Sequence, residues 1–78
     1  MTTYNVYVVP GKPTKVILDT SSEAPENTVH IGMIDTTNMQ PFEAEGELRR
    51  MLSLVRPDRI SAFPPGSELH PNNMEIVT

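Results

Sequence analysis

The sequence contains no cysteine and no tryptophan, and only two tyrosines and two phenylalanines supply its aromatic side chains. A chain without cysteine forms no disulfide and no thiolate metal site, and cysteine catalysis is excluded as well. The two histidines, His30 and His70, lie in different sequence contexts, and no histidine pair at metal-binding spacing occurs. We therefore expect neither a metal ion nor a cofactor.

Basic residues and long apolar runs are also scarce. The chain has six lysines and arginines and ten aspartates and glutamates, which gives a net charge of −4 and a pI near 4.9. Binding to phosphate backbones needs a basic footprint, so nucleic acid is not the expected partner. No apolar run approaches the roughly 18 residues of a membrane span, and the first residues lack the features of a signal peptide. The expectation is a soluble, cytoplasmic protein with no membrane partner.

The length of 78 residues limits the chain to one small domain. Small domains bury a smaller share of their surface than large ones, and many of them need a disulfide, a metal or a partner subunit for stability. Because the first two are not expected here, we predict self-association as a homodimer, through a sheet edge or a C-terminal arm.

Three segments favour β-strands. Residues 4–9 and 14–19 are rich in aromatic and β-branched side chains, and the turn-forming stretch between them predicts an antiparallel hairpin. Residues 28–35 form the third predicted strand, with Val29, Ile31 and Met33 on one face. Gly32, on its other face, indicates a bulge or a close backbone approach.

One helix is predicted after these strands. Proline is favoured at the first helical position, which places the helix start at Pro41. The helix ends at about Arg56, because the following Pro57 disfavours helical geometry in the residue before it. Residues 59–63 are the fourth strand of the prediction, residues 74–77 a possible fifth, and residues 63–73 an irregular connector or arm.

The predicted fold is therefore α+β, with a small, mostly antiparallel sheet, element order β-β-β-α-β and one helix packed on one face. Alternation in the strands and a 3-4 spacing in the helix select the predicted core. Its members are Val6, Val8, Val16, Leu18, Val29, Ile31, Met33, Leu48, Met51, Leu52 and Val55. Tyr7, Val9 and Ile17 compete for the inner side of the first two strands.

The charges are distributed unevenly along the chain. Residues 20–47 hold six acidic side chains and no lysine or arginine, whereas residues 49–59 hold four of the six basic ones. Part of this pattern fits a helix dipole and a Glu45–Arg49 pair one helical turn apart. The alternative interpretation of the same pattern is a bipolar surface that orients a partner electrostatically. The leading hypothesis is a non-catalytic protein-binding module, an inhibitor or adaptor in a larger complex, with an acidic contact surface and apolar anchors. The candidates are Glu23, Glu26, Glu43, Glu45 and Glu47, with Met39 and Phe42 as anchors.

Two alternatives remain open. An arginine-dependent nucleic-acid or phosphate binder would use the basic patch of Arg49, Arg50, Arg56 and Arg59. A small ligand-binding or catalytic domain would centre on His30, Asp35 and Asp19, although strand-end aspartates are also ordinary turn formers. Short acidic α+β proteins are common among inhibitors from phages and mobile elements, and this class is the expectation for the chain.

Overall fold

In the computed structural model, which describes residues 3–61, 63–64 and 67–77, three strands precede a helix and one strand follows it. The elements are β1 (Thr3–Val9), β2 (Thr14–Asp19), β3 (Val29–Asp35), α1 (Pro41–Leu54), a 3₁₀ helix (Pro57–Ile60) and β4 (Met74–Val77). None of the helices in these described ranges is long and apolar enough to cross a membrane.

The four strands form one sheet in the order β3-β1-β2-β4. β1 is antiparallel to both β2 and β3, whereas β4 is parallel to β2. The predicted α+β class, with a mostly antiparallel sheet and one helix, is therefore confirmed. β3 and β4 are its two edge strands.

The connection from β2 to β3 crosses one face of the sheet. Both strands are antiparallel to β1 and hence parallel to each other, so residues 20–28 must return across the sheet. The Tyr7 hydroxyl donates to the Ser21 carbonyl of this loop at 2.9 Å. Tyr7 alternates along β1 with Val6 and Val8, which pack with the helix, so the loop covers the opposite face. We call these the outer face and, on the helix side, the inner face. Tyr7 is buried beneath this loop, whereas the sequence pattern left open which side of β1 faces the interior.

The core lies between the inner face and α1. The buried part of the predicted core consists of Val6, Val8, Val16, Leu48 and Leu52. Other predicted members are half-buried and pack against it, namely Leu18, Val29, Ile31 and Met51. The helical spacing and the strand alternation thus located the interior correctly, except in β3 and at Val55, which is half-buried and is not among the side chains that pack against the core.

In the second half of β3, the prediction of which side chains face the helix is wrong. Met33 is 62% exposed, and its neighbour Ile34 is buried at 3% exposure. The register with β1 shifts at this point, because Val6 pairs with Gly32 and Tyr7 pairs with His30. The extra residue of this bulge reverses which side chains face the helix. This register shift confirms the bulge predicted at Gly32, whose φ of +152° is a conformation that side-chain-bearing residues rarely adopt.

The helix begins at Pro41, as predicted. Gln40 is its N-cap with extended backbone and no side-chain capping bond, and the Gln40 carbonyl accepts from the amides of Glu43 (3.0 Å) and Ala44 (3.1 Å). The helix ends at Leu54, slightly before the predicted Arg56, because both Val55 and Arg56 are extended ahead of Pro57.

Residues 59–61 do not form the predicted fourth strand. The Arg59 amide donates to the Arg56 carbonyl at 3.0 Å, and Phe63 donates to Ile60 at 3.1 Å, in the three-residue spacing of a 3₁₀ turn. Pro57 at the first position sets the backbone for such a turn, and this outweighs the strand preference of Ile60. The rest of that predicted strand includes Ala62, which lies outside the described residues.

Residues 74–77, predicted as a possible fifth strand, therefore form the fourth strand of the sheet. The described part of residues 63–73 contains neither helix nor strand, and it is bonded to the β1–β2 hairpin. The Thr14 hydroxyl, fully buried, donates to the Gly11 carbonyl at 2.7 Å and accepts the His70 amide at 2.8 Å. These bonds hold the end of the chain beside β2.

Candidate protein interface

The start of α1 leaves one aromatic side chain in solvent. Phe42 is 72% exposed, although the adjacent turn places Met39 against the core. Of the two predicted anchors, Met39 therefore contributes to the interior, and Phe42 is available to a partner. A role for Phe42 in stapling the helix entry does not fit its exposure.

The helix carboxylates differ in their partners. Glu45 pairs with Arg49 at 2.9 Å, as the sequence spacing predicted, and Glu47 pairs with Arg50 at 3.3 Å. Glu43 lies in the first turn, where a negative charge is favourable next to the helix N-terminus. Within the described residues it has no ion-pair partner.

Glu23 and Glu26 belong to a different part of the surface. Both are exposed on the loop of residues 20–28, which covers the outer face, whereas α1 covers the inner face. The acidic surface predicted from the sequence is therefore divided between two elements on opposite sides of the sheet.

The four arginines of the predicted basic patch are also divided. Arg49 and Arg50 are paired with helix glutamates, as described above. Arg56 has no ion pair in the part of the chain that the structure describes, and Arg59 donates to the neutral carbonyl oxygen of His30 at 2.6 Å. Of the four arginines, Arg56 and Arg59 thus have no carboxylate partner within the described residues.

Arg56 and Arg59 flank a groove between β3, the end of α1 and the 3₁₀ helix, with a volume of about 440 Å³. We call it the arginine groove. The backbone is extended at Val55 and Arg56, so no further helical turn covers the last apolar side chains of α1. Leu54 is 67% exposed as a result. The lining residues are Ile31, Met51, Leu54, Val55, Arg56, Asp58 and Arg59.

Leu54, Ile31 and Asp58 were missed as site residues by the sequence reasoning. One signal for Leu54 was present, because it is an apolar residue outside the stripe of Leu48, Met51, Leu52 and Val55. The contribution of Ile31 depends on the bulge and on the position of the 3₁₀ helix, which no local pattern indicates.

The candidate catalytic residues each have a local partner. The Asp35 carboxylate accepts from the Thr37 hydroxyl (2.6 Å) and amide (3.0 Å), and these hydrogen bonds lower the pKa of Asp35 from its ordinary value. Asp19 accepts from the Ser21 amide at 2.9 Å. Both carboxylates therefore stabilise the turns that follow their strands.

His30 lies on the outer face, exposed to solvent. Its Nε2 is 3.1 Å from the Asn5 side-chain oxygen, and its ring centre lies 5.2 Å from that of Tyr7. Among the described residues, no three histidine, aspartate or glutamate side chains are grouped closely enough to hold a metal ion.

Comparisons with known proteins give no relative for this chain: no family model matches it, and neither a curated protein nor a solved structure is similar to it.

Proposed function

We propose that this protein is a non-catalytic protein-binding module, and that the arginine groove receives an apolar segment of a partner protein with a neighbouring carboxylate. The observation that carries the proposal is the exposure of Leu54 in a groove of about 440 Å³. An apolar side chain of this size at 67% exposure gains most from being covered by another apolar surface.

The charges around the groove support a carboxylate as the second feature of the partner. Arg56 and Arg59 contribute two positive charges, and Asp58 contributes one negative charge. Arginine presents several donors in a planar arrangement that matches a carboxylate. Exposed charges of this kind mainly set the rate and the specificity of association, whereas the apolar floor supplies affinity.

The overall charge supports a protein rather than a nucleic acid in this groove. The chain carries a net charge of −4, and only two arginines face the groove. Affinity for phosphate backbones comes from several cationic contacts, and a negative overall field opposes it.

The local partners of His30, Asp35 and Asp19 support binding rather than catalysis as the role of the chain. Each of these side chains makes a hydrogen bond that fixes a turn or a neighbouring strand. As part of this proposal we retain the expectation of a cytoplasmic inhibitor or adaptor of a larger complex, of the kind that phages encode.

The test uses methyl-labelled protein and two blocked probe peptides, each with a central phenylalanine, flanked by glutamates in one and by lysines in the other. The glutamate peptide is expected to shift the NMR methyl signals of Met51, Leu54 and Val55 in a saturable manner, in the range of about 1 mM for so small a contact. Arg56→Gln should weaken this binding several-fold, and Arg50→Gln is the matched control that should not.

Three outcomes would reject the proposal. In the first, neither peptide changes the methyl signals. In the second, the lysine peptide binds as well as the glutamate peptide. The third outcome is a short DNA duplex that binds the arginines more tightly than the glutamate peptide does, which would favour the nucleic-acid alternative.

A further inference from the structure

The two ends of α1 present surfaces of opposite shape. At its start, Phe42 projects into solvent with 72% of its surface exposed. At its end, the arginine groove is concave, with Met51 and Leu54 on its apolar side. We call Phe42 together with Glu43 the helix start.

The charges of these two surfaces are opposite as well. Glu43 has no ion-pair partner among the described residues, and the same holds for Arg56. The guanidinium of Arg59 bonds only to the His30 carbonyl within the described chain. The helix start thus combines an exposed apolar side chain with an adjacent free carboxylate, which is the chemistry that the arginine groove fits.

The helix geometry places the two surfaces on opposite sides. Phe42 and Met51 are nine residues apart, which corresponds to a rotation of about 900°, or half a turn beyond two full turns. The same spacing separates them by about 13.5 Å along the axis. When the helix start of one copy occupies the groove of a second, the groove of the first copy therefore faces away and stays open.

We propose that the partner segment received by the arginine groove is the helix start of a second copy of this chain, so that copies associate head to tail. Phe42 of one copy lies on the apolar side of the groove, and Glu43 faces Arg56 and Arg59. This inference rests on the proposed function, because it names the partner of the same groove. The contact is heterologous, since the two surfaces differ, and it therefore extends into an open assembly instead of closing a two-fold dimer.

Two variants isolate the two halves of the contact. Phe42→Ala removes the inserted side chain and keeps the groove, whereas the double variant Leu54→Ser, Arg56→Glu disrupts the groove and keeps the helix start. All three positions are exposed, so both variants should melt at nearly the temperature of the parent protein. Met33→Ala and Arg50→Glu are the matched controls, since both residues are exposed and lie away from the groove.

Sedimentation equilibrium up to about 1 mM protein supplies the measurement, because a contact of this size is expected to be weak. The parent protein and both controls should show an average mass that rises beyond twice the chain mass of 8.7 kDa as concentration increases. Each variant alone should associate about tenfold more weakly or not at all. A mixture of the two variants has one intact helix start and one intact groove per pair, so its mass should stop at twice the chain mass.

The inference is overturned if the parent protein remains at 8.7 kDa or stops at a dimer, or if the mixture behaves like its separate components. If the parent protein stays monomeric while the glutamate peptide still binds the groove, the head-to-tail contact fails and the proposed function stands. If neither association nor peptide binding occurs, both are wrong.

Discussion

The terminal methyl carbon of Met51 lies 2.8 Å from the position that a Cβ atom would occupy on Gly32. The helix therefore approaches β3 at the bulge, where the absence of a side chain leaves room for Met51. Gly32 also has φ +152°, and this backbone conformation is the stronger reason for glycine at this position.

Gly32→Ala is expected to destabilise the protein by about 1–3 kcal/mol, mainly through the backbone conformation. The Met51 methyl is the end of a flexible side chain and can move, so the same loss should persist when Met51 is alanine. Urea unfolding of the two single variants and the double variant separates the causes. A marked reduction of the loss in the Met51→Ala background would show that the contact, and not the backbone, is limiting.

Thr14→Val should cost about 1–3 kcal/mol although the two side chains have nearly the same shape. The substitution removes a hydroxyl that donates to Gly11 and accepts from His70 in a fully buried position. Chemical denaturation is the measurement, and Thr20→Val, at an exposed position after β2, is the control. A loss at Thr14 equal to that of the control would mean that water replaces the hydroxyl.

Leu52→Ala and Met33→Ala should differ strongly in stability. Leu52 is buried beneath the sheet and its truncation should cost about 2–5 kcal/mol. Met33 was predicted to be core but is 62% exposed, so its truncation should change stability by less than about 0.5 kcal/mol. Thermal melts of both variants provide the comparison, and a large loss at Met33 would contradict the register shift in β3.

Asp35 should make stability depend on pH in the acidic range. Its pKa in the folded protein is lowered by hydrogen bonds from the Thr37 hydroxyl and amide. A lowered folded-state pKa means that the contribution is complete above the ordinary aspartate pKa and is lost as pH falls through the folded value. Carboxyl NMR titration should show the pKa of Asp35 rising towards its ordinary value in Thr37→Ala, and an unchanged value would exclude the hydroxyl as the cause.

The local elements of this fold are largely encoded in short patterns. The first three strands, the helix start at Pro41 and the Glu45–Arg49 pair follow from alternation, proline geometry and helical spacing. The 3₁₀ helix was missed because the effect of Pro57 on the residues that follow it was not considered. The apolar residues after Pro57 resemble a strand in sequence.

The candidate interface was harder to derive, because it depends on contacts distant in sequence. The arginine groove combines Ile31 of β3 with Leu54 and Arg59, and their proximity requires the bulge and the chain path around Pro57. Arg49 and Arg50 pair with glutamates one helical turn away, whereas the partner of Arg59 is decided by the fold. The spacing predicted the partner of Arg49 but gave no indication that Arg59 bonds to the His30 carbonyl.

The parallel pairing of β4 with β2 has a consequence for how the chain folds. The partners Thr14 and Met74 come from opposite ends of the chain, whereas β1 and β2 are joined by a short turn. Joining distant segments costs more chain entropy than joining near ones, so the hairpin should form early and β4 last. During synthesis, β2 consequently has an unpaired edge until β4 has been made, and in this interval it is open to pairing with strands of other molecules.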